Sequence, residues 1–301
     1  MNKRITCKEL YLWMSEEKDF TIIDVLPAEF YESRHIPQAV NACVYGMDFI
    51  EQVRKITSDK KRCIVVYDSS DRSQASGYAA SKMADDGFTQ VFELAGGIDE
   101  WEGSGYPVDV LGPDMDEEPA IADGVHAVDC QNSRLEWTGR NIFKRHRGAI
   151  DISGGEIVVK NGVITSGYLT IDMRSIKDDD LTDPAENSLL ISHLMSEDFF
   201  HVDRFPDARF ELTEGQILAD AFPGSPNCLI KGSLTIKGVT NEVVLPAMVV
   251  PDNGQGIRAQ ACFDIDRTEW NIAYGSGKLF EKLGRHLVND TVSLELHITA
   301  R

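Results

Sequence analysis

The period of the apolar pattern changes once along this chain, between about residues 112 and 124, and no single layer architecture satisfies both sides of the change. Before it, short apolar runs (Thr21 to Val25, Ile64 to Tyr67, Val91 to Leu94) alternate with helical patterns. Strands apolar on both faces need cover on both faces, so strand–helix alternation implies a mainly parallel α/β sheet. After the change, apolar and polar residues alternate at every second position, in runs separated by glycine-bearing turns. Many half-buried strands in under 200 residues imply an all-β antiparallel barrel or sandwich. The chain is therefore read as two domains, 1–112 and 124–301, joined by an acidic, proline-bounded linker at 113–123.

In the first domain, Thr6 with Glu9 three residues on marks a helix start, and the helix is expected to run to Ser15. Further helices are expected at Ala28 to Glu32, Asp48 to Ile56 and Ile98 to Gly103, with a small-residue helix (Ala75, Ala79, Ala80, Met83) after a polar loop. That loop, Asp68-Ser69-Ser70-Asp71-Arg72-Ser73, follows the strand Ile64 to Tyr67. The carboxyl ends of parallel strands are where open α/β sheets place their chemistry. In the second domain, strands are expected at Val125 to Cys130, Ser133 to Trp137, Gly148 to Ile152, Glu156 to Lys160, Val163 to Asp172, Arg209 to Glu214, Cys228 to Ile236, Asn241 to Val250, Gly256 to Asp264 and Thr291 to Thr299. Asn161-Gly162 signals a tight hairpin. One helix is expected at Ser188 to Ser196 and a second, short one at Phe280 to Leu283.

The net charge of −19 argues against a nucleic-acid surface, since phosphate binding needs clustered Lys and Arg, and disfavours electrostatic docking on anionic membranes. The N-terminus lacks the apolar core of a signal peptide, and no run approaches the roughly 20 apolar residues of a membrane span. The six cysteines are scattered, without C-x-x-C or zinc-like spacing, and read as reduced thiols of a cytoplasmic protein. His201 and Asp203 lack a third ligand, and Asp178-Asp179-Asp180 with Asp183 lacks the glycine spacing of a calcium loop; the run reads as solvated, and no metal is expected.

Ile22-Ile23-Asp24-Val25 with Glu29-Phe30, His35-Ile36-Pro37-Gln38-Ala39 with Asn41, and Leu94-Ala95-Gly96-Gly97-Ile98 with Trp101 and Gly105-Tyr106-Pro107-Val108 resemble the motifs of the rhodanese family, with Gln38 replacing a glycine. The resemblance implies that a persulfide-carrying cysteine would stand where this chain has Asp68. A carboxylate there cannot form a persulfide. Asp68 is read instead as a cap on the following helix, and Cys63 as a small buried hydrophobe.

The second domain resembles the YceI-like family of lipocalin-like barrels. The matching residues are Leu135 to Arg140, Gly148-Ala149-Ile150, Leu169 to Ile176, His193-Leu194 with Ser196 to Phe200, Asp203-Arg204-Phe205-Pro206 with Phe210, Gly232 to Thr240, and Ile265-Asp266-Arg267 with Trp270-Asn271-Ile272. This resemblance implies a long-chain isoprenoid or related lipid as ligand. An eight-stranded barrel is either filled by side chains or holds one ligand. Candidate lining residues are Phe143, Leu169, Ile171, Leu194, Phe199, Phe200, Phe210 and Trp270, with His146 at the mouth as a head-group contact or a solvated turn. His193 is read as making a structural hydrogen bond.

The expected function is a carrier of an apolar chain with a catalytically inactive rhodanese-like docking module, needing no cofactor beyond a bound lipid. A protein partner at the rhodanese-like domain and a homodimer are compatible with the sequence. Two alternatives stand beside it: a sulfurtransferase-related enzyme using Cys43 or Cys63, and a structural fusion with a filled barrel.

Overall fold

Ile64-Val65-Val66-Tyr67, the central strand of the first sheet, is buried at every position, and successive side chains of a strand point to opposite faces. Ile64 and Val66 meet Phe49, Val53, Ala79 and Met83 on one face, while Val65 and Tyr67 meet Leu10, Ile36 and Trp101 on the other. This computed structural model describes residues 3–113, 121–219, 221–252, 256–279, 284 and 287–301. The expected helix at Phe280 to Leu283 and residues 114–120 of the expected linker lie outside the described residues. The chain divides into two compact units, Met1–Glu118 and Pro119–Arg301.

The first unit has strands β1 (Lys3–Ile5), β2 (Thr21–Asp24), β3 (Val40–Asn41), β4 (Ile64–Tyr67) and β5 (Val91–Leu94), and helices α1 (Cys7–Ser15), α2 (Ala28–Ser33), α3 (Phe49–Ile56), α4 (Ala75–Asp85) and α5 (Gly97–Gly103). The strands pair in parallel, in the order β1-β5-β4-β2-β3. The Thr6 hydroxyl accepts from the Glu9 N–H at 3.2 Å, and the Glu9 carboxylate accepts from the Thr6 N–H at 2.9 Å. The helix start expected at Thr6 is thus a reciprocal capping box. Strands β1 and β3 go beyond the sequence expectation: one is mostly charged and the other only two residues long, so neither carries a periodic apolar signal.

Among the described residues the second unit has ten strands: β6 (Gly124–Ala127), β7 (Arg134–Arg140), β8 (Arg145–Ile150), β9 (Ile152–Lys160), β10 (Val163–Asp172), β11 (Asp207–Ile217), β12 (Cys228–Ile236), β13 (Val239–Asp252), β14 (Gly256–Asp266) and β15 (Thr291–Ala300). They form one antiparallel sheet in the order β6-β9-β10-β11-β12-β13-β14-β15-β7-β8. Its ends meet. β15 pairs with β7 from Ser293↔Thr138 to His297↔Arg134, and further on Val128 bridges Ala300. Ala127 and Arg301 exchange main-chain hydrogen bonds at 2.7 and 2.9 Å, and the Asp129 N–H donates to the Thr299 carbonyl at 2.8 Å. β6 and β7 therefore run along β15 as one kinked stave. β8 and β9, separated only by Asp151, form a second that pairs with it throughout. Counted this way, the ten strands are eight staves of a closed barrel, and closure removes the exposed sheet edge.

Asn161 and Gly162 have φ of 54° and 71°, and Lys237 and Gly238 have 50° and 75°. Two-residue loops with positive φ at both positions match the strand twist. Helix α6 (Pro184–Met195) begins earlier than expected, because Asp183 caps it through the Ala185 N–H at 2.7 Å and Pro184 occupies the first turn.

Candidate functional site

α6, which has no buried residue, and the turn after it join the staves around a cavity of about 320 Å³. Leu135, Trp137, Ile150 and Ile171 come from the staves; Leu190 and Leu194 come from α6; Phe199 and Phe200 come from the turn that follows. Polar side chains are fewer: Arg140, Asn141, Lys144 and His146 around the β7–β8 turn, with His193, Arg267 and Asn289. An apolar enclosure with a few convergent polar groups is the usual form of a small-molecule site.

The structure brings His146, Ile171, Leu194, Phe199 and Phe200 to this cavity. Leu169 and Phe210, register partners on β10 and β11, instead bound a separate space of about 50 Å³ toward the other end of the staves. There the Phe210 ring covers Gly232, where a Cβ would come within 2.5 Å of the ring, so the barrel is filled at that end. Trp270, 1% exposed, is outside the lining and donates its indole N–H to the Leu234 carbonyl at 2.9 Å. Phe143, 64% exposed in the β7–β8 turn, is also outside it. Hydrophobicity makes both residues candidates for the lining, but it does not say whether a side chain faces the lumen, the wall or solvent.

His193 packs edge-on against Phe199 and Tyr274, with ring centroids at 4.9 and 4.5 Å, and lies 3.7 Å from Asp198. Its role is as a wall of the cavity, built by ring contacts. Arg267 is a cavity-lining residue that sequence reasoning does not single out. It is 4% exposed and donates to three main-chain carbonyls: Ile272 at 2.6 Å, Asn289 at 3.1 Å and Val288 at 3.1 Å. It thereby holds segment 287–290 against the cavity. The arginine of Ile265-Asp266-Arg267 is visible as part of a motif, but its acceptors are backbone atoms and leave no trace in the sequence.

In the first unit the Asp68 carboxylate is 2% exposed and accepts from the Ser76 N–H, in the first turn of α4, at 2.8 Å. It occupies a helix-start amide, as a cap does. The Asp68 and Ser69 carbonyls accept from the Ile98 and Asp99 N–H groups at 2.9 and 3.0 Å. Gly97 permits this approach: its φ is +60°, and a Cβ would lie 2.5 Å from the Asp68 oxygen. Asp71 accepts from Gly96 N–H at 3.0 Å and from Arg4 at 2.6 Å. Ser73 accepts from Ala75 N–H at 3.2 Å, and Ser70 from Arg72 N–H at 3.3 Å. An open depression of about 940 Å³ lies over this loop, bordered by Arg4, Tyr45, Asp68, Ser70, Asp71 and Ser73. Cys63 precedes β4 at the opposite end from Asp68, roughly 15 Å away along an extended strand. Burial pushes its thiol above the ordinary range, against the pull of Lys18, Lys3 and Arg62.

Of the acidic run, Asp179, Asp180 and Asp183 are exposed, as a solvated loop would have them, and Asp178 alone departs from that reading. The Asp178 side chain is fully buried, because segment 177–179 pairs with β8: Lys177 N–H to the Ala149 carbonyl and Asp179 N–H to the Arg147 carbonyl, both at 2.9 Å. Among the described residues no helix is long and apolar enough to cross a membrane. All six cysteines are free.

The YceI-like domain family matches residues 126–300, and the rhodanese-like domain family matches residues 6–104. Among solved structures, the second unit is similar to Burkholderia cenocepacia BcnA, at 23% identity over 58% of this chain and 99% of that one, with a TM-score of 0.45. It is also similar to a polyisoprenoid binding domain from Saccharophagus degradans implicated in plant cell wall breakdown, at 12% identity over 58% and 97%, TM-score 0.44. The first unit is similar to the rhodanese-like domain of an Anabaena protein, at 29% identity over 41% of this chain and 89% of that one, TM-score 0.32. No curated protein matches the chain.

Proposed function

The chain belongs to the YceI-like family through residues 126–300, with a rhodanese-like domain at 6–104, and on that basis we propose that its barrel carries a long apolar molecule, an isoprenoid or acyl chain. One observation carries the reading: a cavity of about 320 Å³ walled mainly by aliphatic and aromatic side chains. Burying apolar ligand surface there gains roughly 25 cal/mol per Å². The polar groups of the β7–β8 turn suit a ligand with one polar end.

The rhodanese-like unit serves in this reading as a docking or regulatory module without persulfide chemistry. Asp68 supports this, because its carboxylate is already engaged with the helix-start amide. Cys63, the nearest thiol in sequence to the loop, sits at the far end of β4 with its thiolate disfavoured by burial. The depression over the loop is the surface such a partner would use. The six free cysteines suit a reducing, cytoplasmic setting.

Native mass spectrometry of the freshly purified chain, followed by organic extraction, tests the carrier reading. A discrete excess mass released as a prenyl or acyl species is expected. Leu194→Trp, which fills the cavity from α6, should weaken binding of a fluorescent prenyl or acyl probe at least about tenfold while leaving the far-UV spectrum unchanged. An apo mass together with no probe binding by the wild-type chain would leave the barrel a purely structural element.

A further inference from the structure

The side of His146 away from the apolar wall meets two carboxylates. Its Nδ1 lies 3.2 Å from Asp180 Oδ2 and 3.9 Å from Asp178 Oδ2, and the three ligand atoms lie within 4.8 Å of one another. The backbone sets this arrangement. Segment 177–179 runs beside β8 on the hydrogen bonds described above, and the chain then bends at Asp179 and Asp180, with the Asp180 and Leu181 N–H groups turned onto Asp178 Oδ1, which returns the Asp180 carboxylate to the side of Asp178. Gly148 allows the approach: a Cβ at this position would come within 1.7 Å of the Lys177 carbonyl oxygen. The Arg147 N–H fixes Asp180 through Oδ1 at 2.7 Å.

One atom in the cluster has no hydrogen-bond partner. Asp178 Oδ1 accepts from the Leu181 N–H at 2.8 Å, the Asp180 N–H at 3.2 Å and the Asn187 amide at 3.3 Å. Asp178 Oδ2, on a side chain with no exposure, accepts nothing. Buried carboxylate oxygens are almost always hydrogen-bonded, ion-paired or bound to metal. Among the described residues no lysine or arginine forms an ion pair with Asp178 or Asp180; Lys177 is paired with Asp151, and Arg134 with Glu136 and Asp179. A protonated imidazole would bring one positive charge to two carboxylates. A divalent cation brings two, and ligand atoms held about 2.0–2.2 Å from one ion lie about 3–4 Å apart, close to the spacing found here.

We propose that His146, Asp178 and Asp180 form a divalent-metal site for a cation of the Zn²⁺ or Mn²⁺ class. One imidazole nitrogen and two carboxylate oxygens suit those ions, and the lack of thiolate excludes the softest metals. Water or a polar ligand group completes the coordination. The ion ties β8 to segment 177–180 at the edge of the cavity that His146 lines, and binding through Nδ1 leaves the second ring nitrogen as an N–H donor.

The test is titration calorimetry of the full chain, stripped with chelator and dialysed, against ZnCl₂ and MnCl₂ in separate runs. One equivalent of at least one cation is expected to bind and to raise the thermal midpoint of the wild-type chain. Asp178→Asn and His146→Gln should each weaken binding at least about tenfold and abolish the thermal shift. Asp179→Asn, at the neighbouring acid that pairs with Arg134, should bind as wild type does. Absence of stoichiometric binding of both cations to the wild-type chain overturns the proposal, whatever the variants do. Equal binding by wild type, Asp178→Asn and His146→Gln overturns it too.

Discussion

Arg267→Ala is expected to destabilise the barrel by about 3–5 kcal/mol, the range for breaking a buried charged group away from its partners. The guanidinium serves three carbonyls from two segments, Ile272 on one side and Val288 and Asn289 on the other, and lies 3.5 Å from Asp290. Removing it leaves the buried Ile272 carbonyl without this donor, at about 1–3 kcal/mol before relaxation, and frees the part-buried Val288 and Asn289 carbonyls from the hold on their segment. For a unit of this size the loss corresponds to a fall in the thermal midpoint on the order of 10 °C. Arg267→Lys should recover only part of it, since an ammonium is a point charge and cannot reproduce the planar fork. Scanning calorimetry of the full chain reads both variants. A barrel transition in Arg267→Ala that moves by less than about 3 °C would mean that the carbonyls are satisfied without the guanidinium.

Asp24 should make the rhodanese-like unit less stable as pH rises from 4 to 7. Burial pushes its carboxyl from 3.8 up to about 6; the Leu26 N–H, the Tyr67 hydroxyl and His35 pull the other way and only partly offset it, while Asp68 adds to the rise. A carboxyl whose pKa is raised by folding binds its proton more tightly when folded. Its contribution is therefore full below about pH 4 and is lost as pH climbs through about 6. The difference between 3.8 and about 6 amounts to roughly 3 kcal/mol lost from this group by pH 7. Asp24→Asn removes the titration and keeps an oxygen that accepts from the Leu26 N–H, 2.8 Å away in the native chain. At pH 7 the variant should unfold at higher denaturant than the wild type, and the advantage should vanish near pH 4. Urea titrations of both chains across that range give the difference directly. An advantage independent of pH would show that the carboxyl is not the titrating group.

The readable parts of the sequence are those in which a local rule and the final fold agree. Thr6 and Glu9 lie three residues apart and cap each other whatever surrounds them. Asn161-Gly162 turns because both residues tolerate positive φ. The all-apolar run Ile64 to Tyr67 could only be a strand covered on both faces. Of the cavity, motif and hydrophobicity single out His146, Ile171, Leu194, Phe199 and Phe200, and the structure brings them to its lining. Phe143, Trp270, Leu169 and Phe210 have the same chemistry and lie elsewhere. Which way each faces depends on strand register and on what packs opposite it, and neither is encoded in the residue itself.

The amino-acid order alone determined the two-domain division, the parallel and antiparallel classes of the two sheets, and the polar loop opened by Asp68 after the apolar strand Ile64 to Tyr67, because period, turn chemistry and residue identity are local properties. Tertiary structure alone decided that ten strands close as eight staves, that the space inside them is about 320 Å³ beside α6 and only about 50 Å³ beside Phe210, that Arg267 is buried on three carbonyls, and that Asp178 meets His146 from a distant segment with an oxygen left over. These depend on contacts between residues far apart in the chain. Burial, which sets the energy of a charge, is a property of those contacts and not of the side chain that bears it.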